Sequence, residues 1–234
     1  MDFLVPKRRL RGEGSKELLE KSMEYFEEQD ESKIVLSPNI YPKEVIDFFK
    51  DQGFEKFEEY PSGLWMKKEI ESLPEPPSPE NIDIFAVGNL QDPVSAKNLA
   101  EVQLDYANTD NFDLEDIIAQ FEKIDKESED ILYGIAKLEN CGEFVGFSRT
   151  IFIDLLRGDS IAQNIGLVVK EEHRSKGIGE ALLVDSFHRA KDKGYGNMYI
   201  STHSNNPAQR LYKRVGFEIE REHPHLSYQI SKGN

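Results

Sequence analysis

The sequence predicts an α/β (α+β) fold, a mixed sheet flanked by helices and preceded by a half-copy of the same arrangement. Three observations predict it: strand-type and helix-type periodicity alternate over residues 81–234, a proline-rich break occupies residues 73–80, and a repeat relates residues 1–72 to the second half of residues 81–234. The break, Leu73-Pro74-Glu75-Pro76-Pro77-Ser78-Pro79-Glu80, holds four prolines in eight residues. Proline removes an amide donor and favours extended backbone, so the segment reads as a linker between two domains.

After the linker, Ile82, Ile84 and Ala86 alternate as a strand. Val94, Leu99, Val102 and Tyr106, then Leu114, Ile117, Ile118, Phe121 and Ile124, recur at helical spacing. Residues 131–136 and 143–152 are two apolar runs parted by Glu139-Asn140-Cys141-Gly142, a hairpin signal. A strand over 164–169 runs into a glycine-rich segment and a helix over 180–193, with Leu182, Leu183, Phe187 and Ala190 inward and Gly194 as its stop. A strand at Met198-Tyr199-Ile200, a helix from Pro207 to Val215 and one last strand ending near Ile230 complete the order β-α-α-β-β-β-α-β-α-β.

The repeat is explicit. Phe49-Lys50-Asp51-Gln52-Gly53-Phe54-Glu55, then Glu59-Tyr60-Pro61, matches Tyr212-Lys213-Arg214-Val215-Gly216-Phe217-Glu218, then Glu222-His223-Pro224, at a constant offset of 163 (216 − 53 and 224 − 61). Trp65 pairs with Tyr228 at the same offset. Upstream, Ile34-Val35-Leu36 answers Met198-Tyr199-Ile200, Leu18-Leu19 answers Leu182-Leu183, and Gly12-Glu13-Gly14 answers Gly177-Ile178-Gly179, with offsets of 164 to 165. Self-similarity on this scale marks a duplicated unit. Residues 1–72 are a truncated second copy, residues 73–80 the linker and residues 81–234 the complete domain. A half-sheet leaves an open edge and an uncovered apolar face, so docking on the complete domain or on another subunit, as in a homodimer, is expected.

Composition excludes several functions. A net charge of −15 argues against a nucleic-acid partner held by phosphate contacts. No apolar run approaches the roughly 18 residues that a membrane span needs, so no membrane partner is expected. Cys141 is the only cysteine, which excludes an internal disulfide and a cysteine-rich metal site. At the N-terminus the apolar stretch Phe3-Leu4-Val5 precedes Lys7-Arg8-Arg9, the reverse of a signal peptide, and the cytoplasm is the expected location. No cluster of ligands suggests a metal.

The chemistry-bearing residues lie at the glycine-rich segment, where Arg174, Ser175, Lys176, Gly177, Ile178 and Gly179 spell Arg-x-x-Gly-x-Gly between a strand and a helix. Glycines let backbone amides approach a ligand, and a helix start adds free N–H groups and partial positive charge, a setting for an anion such as a pyrophosphate. The spacing is neither the dinucleotide fingerprint nor the P-loop, and alone it is equally a structural corner. Twenty-six residues on (205 − 179) begins Asn205-Asn206-Pro207-Ala208-Gln209-Arg210-Leu211-Tyr212-Lys213-Arg214-Val215-Gly216-Phe217. Together the two elements resemble the GNAT N-acetyltransferase superfamily: a strand ending at Val169, Arg-x-x-Gly-x-Gly, a helix, a strand, then Asn-x-x-Ala-x-x-Leu-Tyr-x-x-x-Gly-Phe. The resemblance covers residues 81–234 in element order and 164–217 residue by residue.

The resemblance implies a GNAT-like V-shaped, splayed sheet and an acetyl-CoA-dependent N-acetyltransferase in which a primary amine, on a small molecule or a peptide, attacks the thioester directly. It implies that the pantetheine arm of the cosubstrate adds like a strand beside Leu167, Val168 and Val169. By the same resemblance the amides from Arg174 to Glu180 hold the pyrophosphate, Asn205 contacts the cofactor arm, and Tyr212 is the general acid for the departing thiolate. The alternative for Tyr212 is a core aromatic. The strand before the loop offers Gln163 and Asn164 but no carboxylate, a departure from family members with a glutamate there; Glu143, Asp154, Asp159 and His203 are the candidate bases, and His203 ranks first. In the first copy Phe49 replaces the tyrosine and Pro42 falls at the asparagine position, and Arg9-Leu10-Arg11-Gly12-Glu13-Gly14 keeps the glycine spacing with its leucines displaced, so that copy reads as structural. Asp105, Asp110, Asp113, Glu115 and Asp116 would suit a cationic acceptor or form a solvated helix face. The competing reading is a non-catalytic acyl-CoA-binding or regulatory module.

Overall fold

A computed structural model describes residues 13–28, 33–36, 43–90, 94–107, 113–127, 130–154 and 160–230. The elements in chain order are α1 (Glu13–Glu28), β1 (Lys33–Leu36), α2 (Lys43–Asp51), β2 (Glu55–Lys56), β3 (Gly63–Glu69), β4 (Ile82–Val87), α3 (Ala96–Ala107) and α4 (Leu114–Glu127). There follow β5 (Ile131–Leu138), β6 (Phe144–Asp154), β7 (Ser160–Val169), α5 (Ile178–Asp192), β8 (Asn197–His203), α6 (Gln209–Arg214), β9 (Glu218–His223) and β10 (Leu226–Gln229). A mixed α/β chain results, and the element types follow the periodicities of the sequence.

The chain packs into two compact units that are interleaved in sequence. The first holds residues 1–65, 203–205 and 221–234; the second holds 66–202 and 206–220. The division of the sequence at 72 and 80 is linear, whereas the boundary between the units falls inside β3, after Trp65, and inside β9, after Glu220.

In the second unit the sheet runs in the order β4-β5-β6-β7-β8-β3-β9. β4, β5, β6 and β7 are antiparallel neighbours, with pairs such as Ile84↔Ala136, Ile135↔Phe147 and Phe147↔Val168. One face is covered by α3 and α4, where Leu99, Val102, Ile117 and Phe121 pack on Tyr133, Ile135, Phe147 and Val168. The other face receives α5, with Ile178 and Leu182 against Ala136 and Val145. Helices on both faces explain why β5 is apolar almost throughout and shows no alternation. Close packing of α5 demands small residues beneath it: a Cβ at Gly146 would stand 2.9 Å from the Val168 carbonyl oxygen and 3.4 Å from Leu182 Cδ1.

In the first unit a three-stranded sheet has the order β1-β10-β2, all antiparallel, with Ile34↔Tyr228 and Leu226↔Lys56 in register. Its core gathers Val45, Ile46, Phe49 and Phe54 of the N-terminal copy around Leu226, the first residue of β10. The repeat explains this arrangement. At an offset of 163, β2 begins where β9 begins and β3 where β10 begins (218 − 55 and 226 − 63). At 164, β1 answers β8, and at 165, α1 answers α5 (197 − 33 and 178 − 13). Hence β1-β10-β2 and β8-β3-β9 are the same local order with the last strand of each copy exchanged for that of the other, an intramolecular form of domain swapping.

Two expectations need correction. The single last strand is two, β9 and β10, because Pro224 lacks the amide that would continue the ladder. The helix placed from Pro207 begins at Gln209: the Asn206 side chain accepts from the Ala208 amide at 2.9 Å, so residues 206–208 form a turn that feeds the helix. Residues 1–12, Pro42, Asp110 and Asp159, which carried parts of the repeat and candidate roles, lie outside the described residues. None of the described helices is long and apolar enough to cross a membrane.

Candidate active site

The site is built on the end of β7. This strand pairs with β6 along its whole length, but with β8 only through Ala162↔Met198, Gln163↔Tyr199 and Asn164↔Ile200. Beyond Asn164 the parallel ladder stops while β7 continues to Val169, so the sheet splays and one edge of residues 165–169 meets no strand. The register with β6 slips at the same point: Thr150 faces Asn164 and Arg149 faces Gly166, leaving Ile165 as the extra residue of a bulge. A bulge bends its strand and re-aims the groups beyond it. Leu167, Val168 and Val169 occupy this stretch; Val168 is buried against α3 and α4, while Leu167 and Val169 pack toward α5.

A short 3-10 turn over Glu171–His173 leads from the strand to the glycine segment. Arg174 is extended and returns its Nε to the Val169 carbonyl at 3.1 Å. Ser175 has φ +61 and Gly177 φ +82, left-handed conformations that shape anion-binding backbone concavities. Gly177 is the N-cap of α5 and supplies no side-chain cap; its carbonyl takes the first helical hydrogen bond, from Ala181 at 3.0 Å. The amides of Ile178, Gly179 and Glu180 therefore have no acceptor within the helix. Residues 174–177 are exposed.

The two glycines do different things. Gly177 has open space around it and is needed for its φ. Gly179 is needed for its size: a Cβ there would stand 3.2 Å from Leu211 Cδ2 and 3.8 Å from Val169 Cγ2, so its absence lets the start of α5 settle against α6 and β7. Glu180 fixes the same corner by accepting from Arg214 Nε at 2.9 Å.

Tyr212 lies on α6 in the same unit, 7% exposed, with its ring edge-on to Phe217 at 6.1 Å. Its carbonyl accepts from the Phe217 amide at 2.9 Å, the bond that closes the helix at Gly216. Leu211, its neighbour, touches the Gly179 position, which ties the helix bearing Tyr212 to the glycine segment. Asn205 is exposed and belongs to the first unit, together with His203 and Ser204.

The candidate bases separate. Glu143 accepts from Lys170 Nζ at 2.6 Å and so holds the end of β7. Asp154 ends β6 and Asp159 lies outside the described residues. The His203 ring stacks on His225 at 6.4 Å in the first unit. The acidic helix residues have local work as well: Asp105 accepts from the Glu171 amide at 3.2 Å, Asp113 caps α4 through the Glu115 amide at 3.0 Å, and Glu115 and Asp116 sit in the first turn of α4, where the helix dipole favours carboxylates.

Sequence reasoning passed over the buried polar groups on the α3–α4 face. Arg149 of β6 places its guanidinium carbon 5.0 Å from the centroid of the Phe121 ring, and Tyr133 of β5 is 0% exposed. Burial is the largest cause that lowers the Arg149 pKa, and burial followed by the nearby Asp125 carboxylate raises that of Tyr133. The signal was present, since an arginine inside the apolar run of residues 144–153 breaks the pattern of a strand covered on both faces.

Known proteins place this geometry. No curated protein matches the sequence. Among solved structures, a tandem GNAT protein from the clavulanic acid biosynthesis pathway superposes with a TM-score of 0.72 at 14% identity, covering 99% of this chain and 74% of that one. A GCN5-related N-acetyltransferase from Sphaerobacter thermophilus gives 0.63 at 17% identity, covering 97% and 71%. One from Kribbella flavida gives 0.56 at 16%, covering 89% and 73%. At such identities the likeness is one of fold, and it includes the tandem arrangement. The sequence profile of the Acetyltransferase (GNAT) family matches residues 97–217, more than half of the chain and the whole stretch from α3 through the Tyr212 helix, and the chain belongs to that family.

Proposed function

We propose that the protein is an N-acetyltransferase that uses acetyl-CoA and a primary amine acceptor. The observation that carries the reading is the continuity of an unpaired strand edge at residues 165–169 with an uncapped helix start at Gly177. The edge offers backbone donors and acceptors to an extended, amide-bearing arm in the manner of an added strand. The helix start offers amides and dipole to a diphosphate, with Arg174 and Lys176 adding positive charge in an acidic protein. This donor set fits acetyl-CoA, which supplies an activated acetyl thioester when bound.

In this reading Leu167, Val168 and Val169 orient the arm, and a backbone N–H of that stretch donates to the carbonyl oxygen as negative charge develops on it. The amides of Ser175, Lys176, Gly177, Ile178, Gly179 and Glu180 hold the phosphates. Tyr212 holds a proton on its Oη for the leaving sulfur. Asn205 is proposed from the motif alone as a contact to the cofactor. A second reading, an acyl-CoA-binding module without catalysis, draws on the absence of a carboxylate anywhere on β7.

Calorimetric titration of acetyl-CoA into the wild type and into a Gly177→Asp, Gly179→Asp double variant tests the proposal. One site is expected, lost in the variant because carboxylates then face the diphosphate. Failure of the wild type to bind acetyl-CoA at all would sink the proposal; binding without transfer to any amine would favour the second reading.

A further inference from the structure

Arg149 is a charged side chain with no task in holding the cofactor or moving its proton. It lies on β6, one strand in from the splayed edge and opposite Gly166, in the part of β7 beyond the bulge. The side chain crosses to β7, where its Nη2 lies 3.7 Å from the position a Cβ on Gly166 would take. The guanidinium rests on the Phe121 ring, its Nε is shut off from solvent without a hydrogen-bond partner, and no carboxylate among the described residues pairs with it. Beside it, the Tyr133 hydroxyl is buried, with the Asp125 carboxylate close to it.

A half-buried guanidinium whose Nε has no partner is costly to keep unless a ligand satisfies it. An arginine remains charged under such conditions, and its fork of donors matches a carboxylate in bidentate fashion. Gly166 keeps the flank of the guanidinium clear: a Cβ there would stand 3.7 Å from Nη2 and 3.8 Å from Nε. Of the acidic helix residues, Asp105 accepts from the Glu171 amide and Asp113 from the Glu115 amide at the start of α4.

We propose that Arg149 binds a carboxylate of the acceptor, so that the acceptor is a small amine with a carboxylate a few bonds from its amino group, an amino acid in chemical class. The inference rests on the acetyltransferase reading and deepens it. A polyamine or another acceptor without an anionic group would leave the guanidinium unpaired.

The test uses matched sets: an amino acid, its carboxamide and the corresponding decarboxylated amine, each offered with acetyl-CoA to the wild type, Arg149→Lys and Arg149→Met. Acetyl-CoA affinity is measured calorimetrically in every variant. The wild type is expected to prefer the acid over both analogues by about 10²-fold in kcat/KM, because the analogues leave the arginine unpaired. Arg149→Met is expected to lose that preference chiefly through KM, Arg149→Lys to keep a fraction of it, and acetyl-CoA affinity to stay within about twofold. Gly166→Val covers the same flank without removing the charge, and its higher KM for the acid would carry the test if Arg149→Met fails to fold. Equal use of acid and amide by the wild type, or a preference that survives in Arg149→Met, overturns the inference, as does bound acetyl-CoA without transfer to any acid. Absence of acetyl-CoA binding fells the acetyltransferase reading itself, which the calorimetry separates from the other failures.

Discussion

The two copies of the repeat share one kind of corner, at the end of α2 in the first unit and at the end of α6 in the second. In the first, the Gly53 amide bonds to the Lys50 carbonyl at 3.0 Å and the Phe54 amide to the Phe49 carbonyl at 3.0 Å; in the second, Gly216 bonds to Lys213 at 3.1 Å and Phe217 to Tyr212 at 2.9 Å. Both glycines take left-handed φ, +89 and +94, which closes a helix with a tight cap. Both aromatic side chains are buried, Phe49 at 8% and Tyr212 at 7% exposure, and both stand edge-on to the phenylalanine five residues later. The corner is therefore a folding device that works with either aromatic ring. What the second copy adds is one hydroxyl, and packing alone does not ask for it.

The most forceful way to break that comparison is to erase the difference. Tyr212→Phe makes the second corner a copy of the first, and acetyl transfer is expected to fall by about 10²- to 10⁴-fold, the range of a lost general acid, with Tm close to the wild type. Measuring kcat and thermal unfolding on the same preparation checks both halves. A Tyr212→Phe enzyme of full activity would make the tyrosine a core aromatic like Phe49.

The strand exchange sharpens the comparison at the level of stability. Leu226 at the start of β10 is 1% exposed in the core of the first unit, and Met66 in β3 is 0% exposed in the second. Each belongs by sequence to the copy whose unit it does not complete. Leu226→Ala is expected to destabilise the first unit by about 2–5 kcal/mol, and Met66→Ala the second by a similar amount, the cost of deleting a buried side chain. Hydrogen exchange measured unit by unit distinguishes this from the linear expectation, in which Leu226→Ala would open the sheet of β4 to β8.

How much of this was legible in the sequence depends on the range of the interactions. The glycine corner and the matching segments of the repeat are runs of residues close in sequence, and they read directly. The helix over residues 114–124 and the strand over 131–136 were legible because each holds its period long enough to be recognised. The exchange of β3 and β10 was not legible, since two strands of similar pattern at an offset of 163 fit either sheet and only the fold decides between them. The Asn206 turn was hidden by Pro207, which suits a first helical turn as well as a turn before a helix. At the site, the glycine segment and Tyr212 stood out as motifs, whereas Arg149 required the register of β6 on β7 to show that it faces Gly166 in the splayed stretch.

The finest contrast between the units is in titration. His223 and His225, 5% and 8% exposed, lie in the first unit; burial lowers both pKa values, reinforced by the Arg221 charge for His223 and by His203 for His225. A histidine with a depressed folded pKa binds its proton more readily in the unfolded chain. Its contribution is complete above the unfolded value of about 6.5 and is lost as pH falls from there through the folded pKa. The first unit is therefore expected to lose stability as pH falls below about 6.5, ahead of the second, where no buried histidine is found among the described residues. A His223→Gln variant removes one of the two proton sites and is expected to flatten the dependence. Exchange protection measured across this range reads each unit separately, and equal pH slopes in both would show that the two histidines are not what distinguishes them.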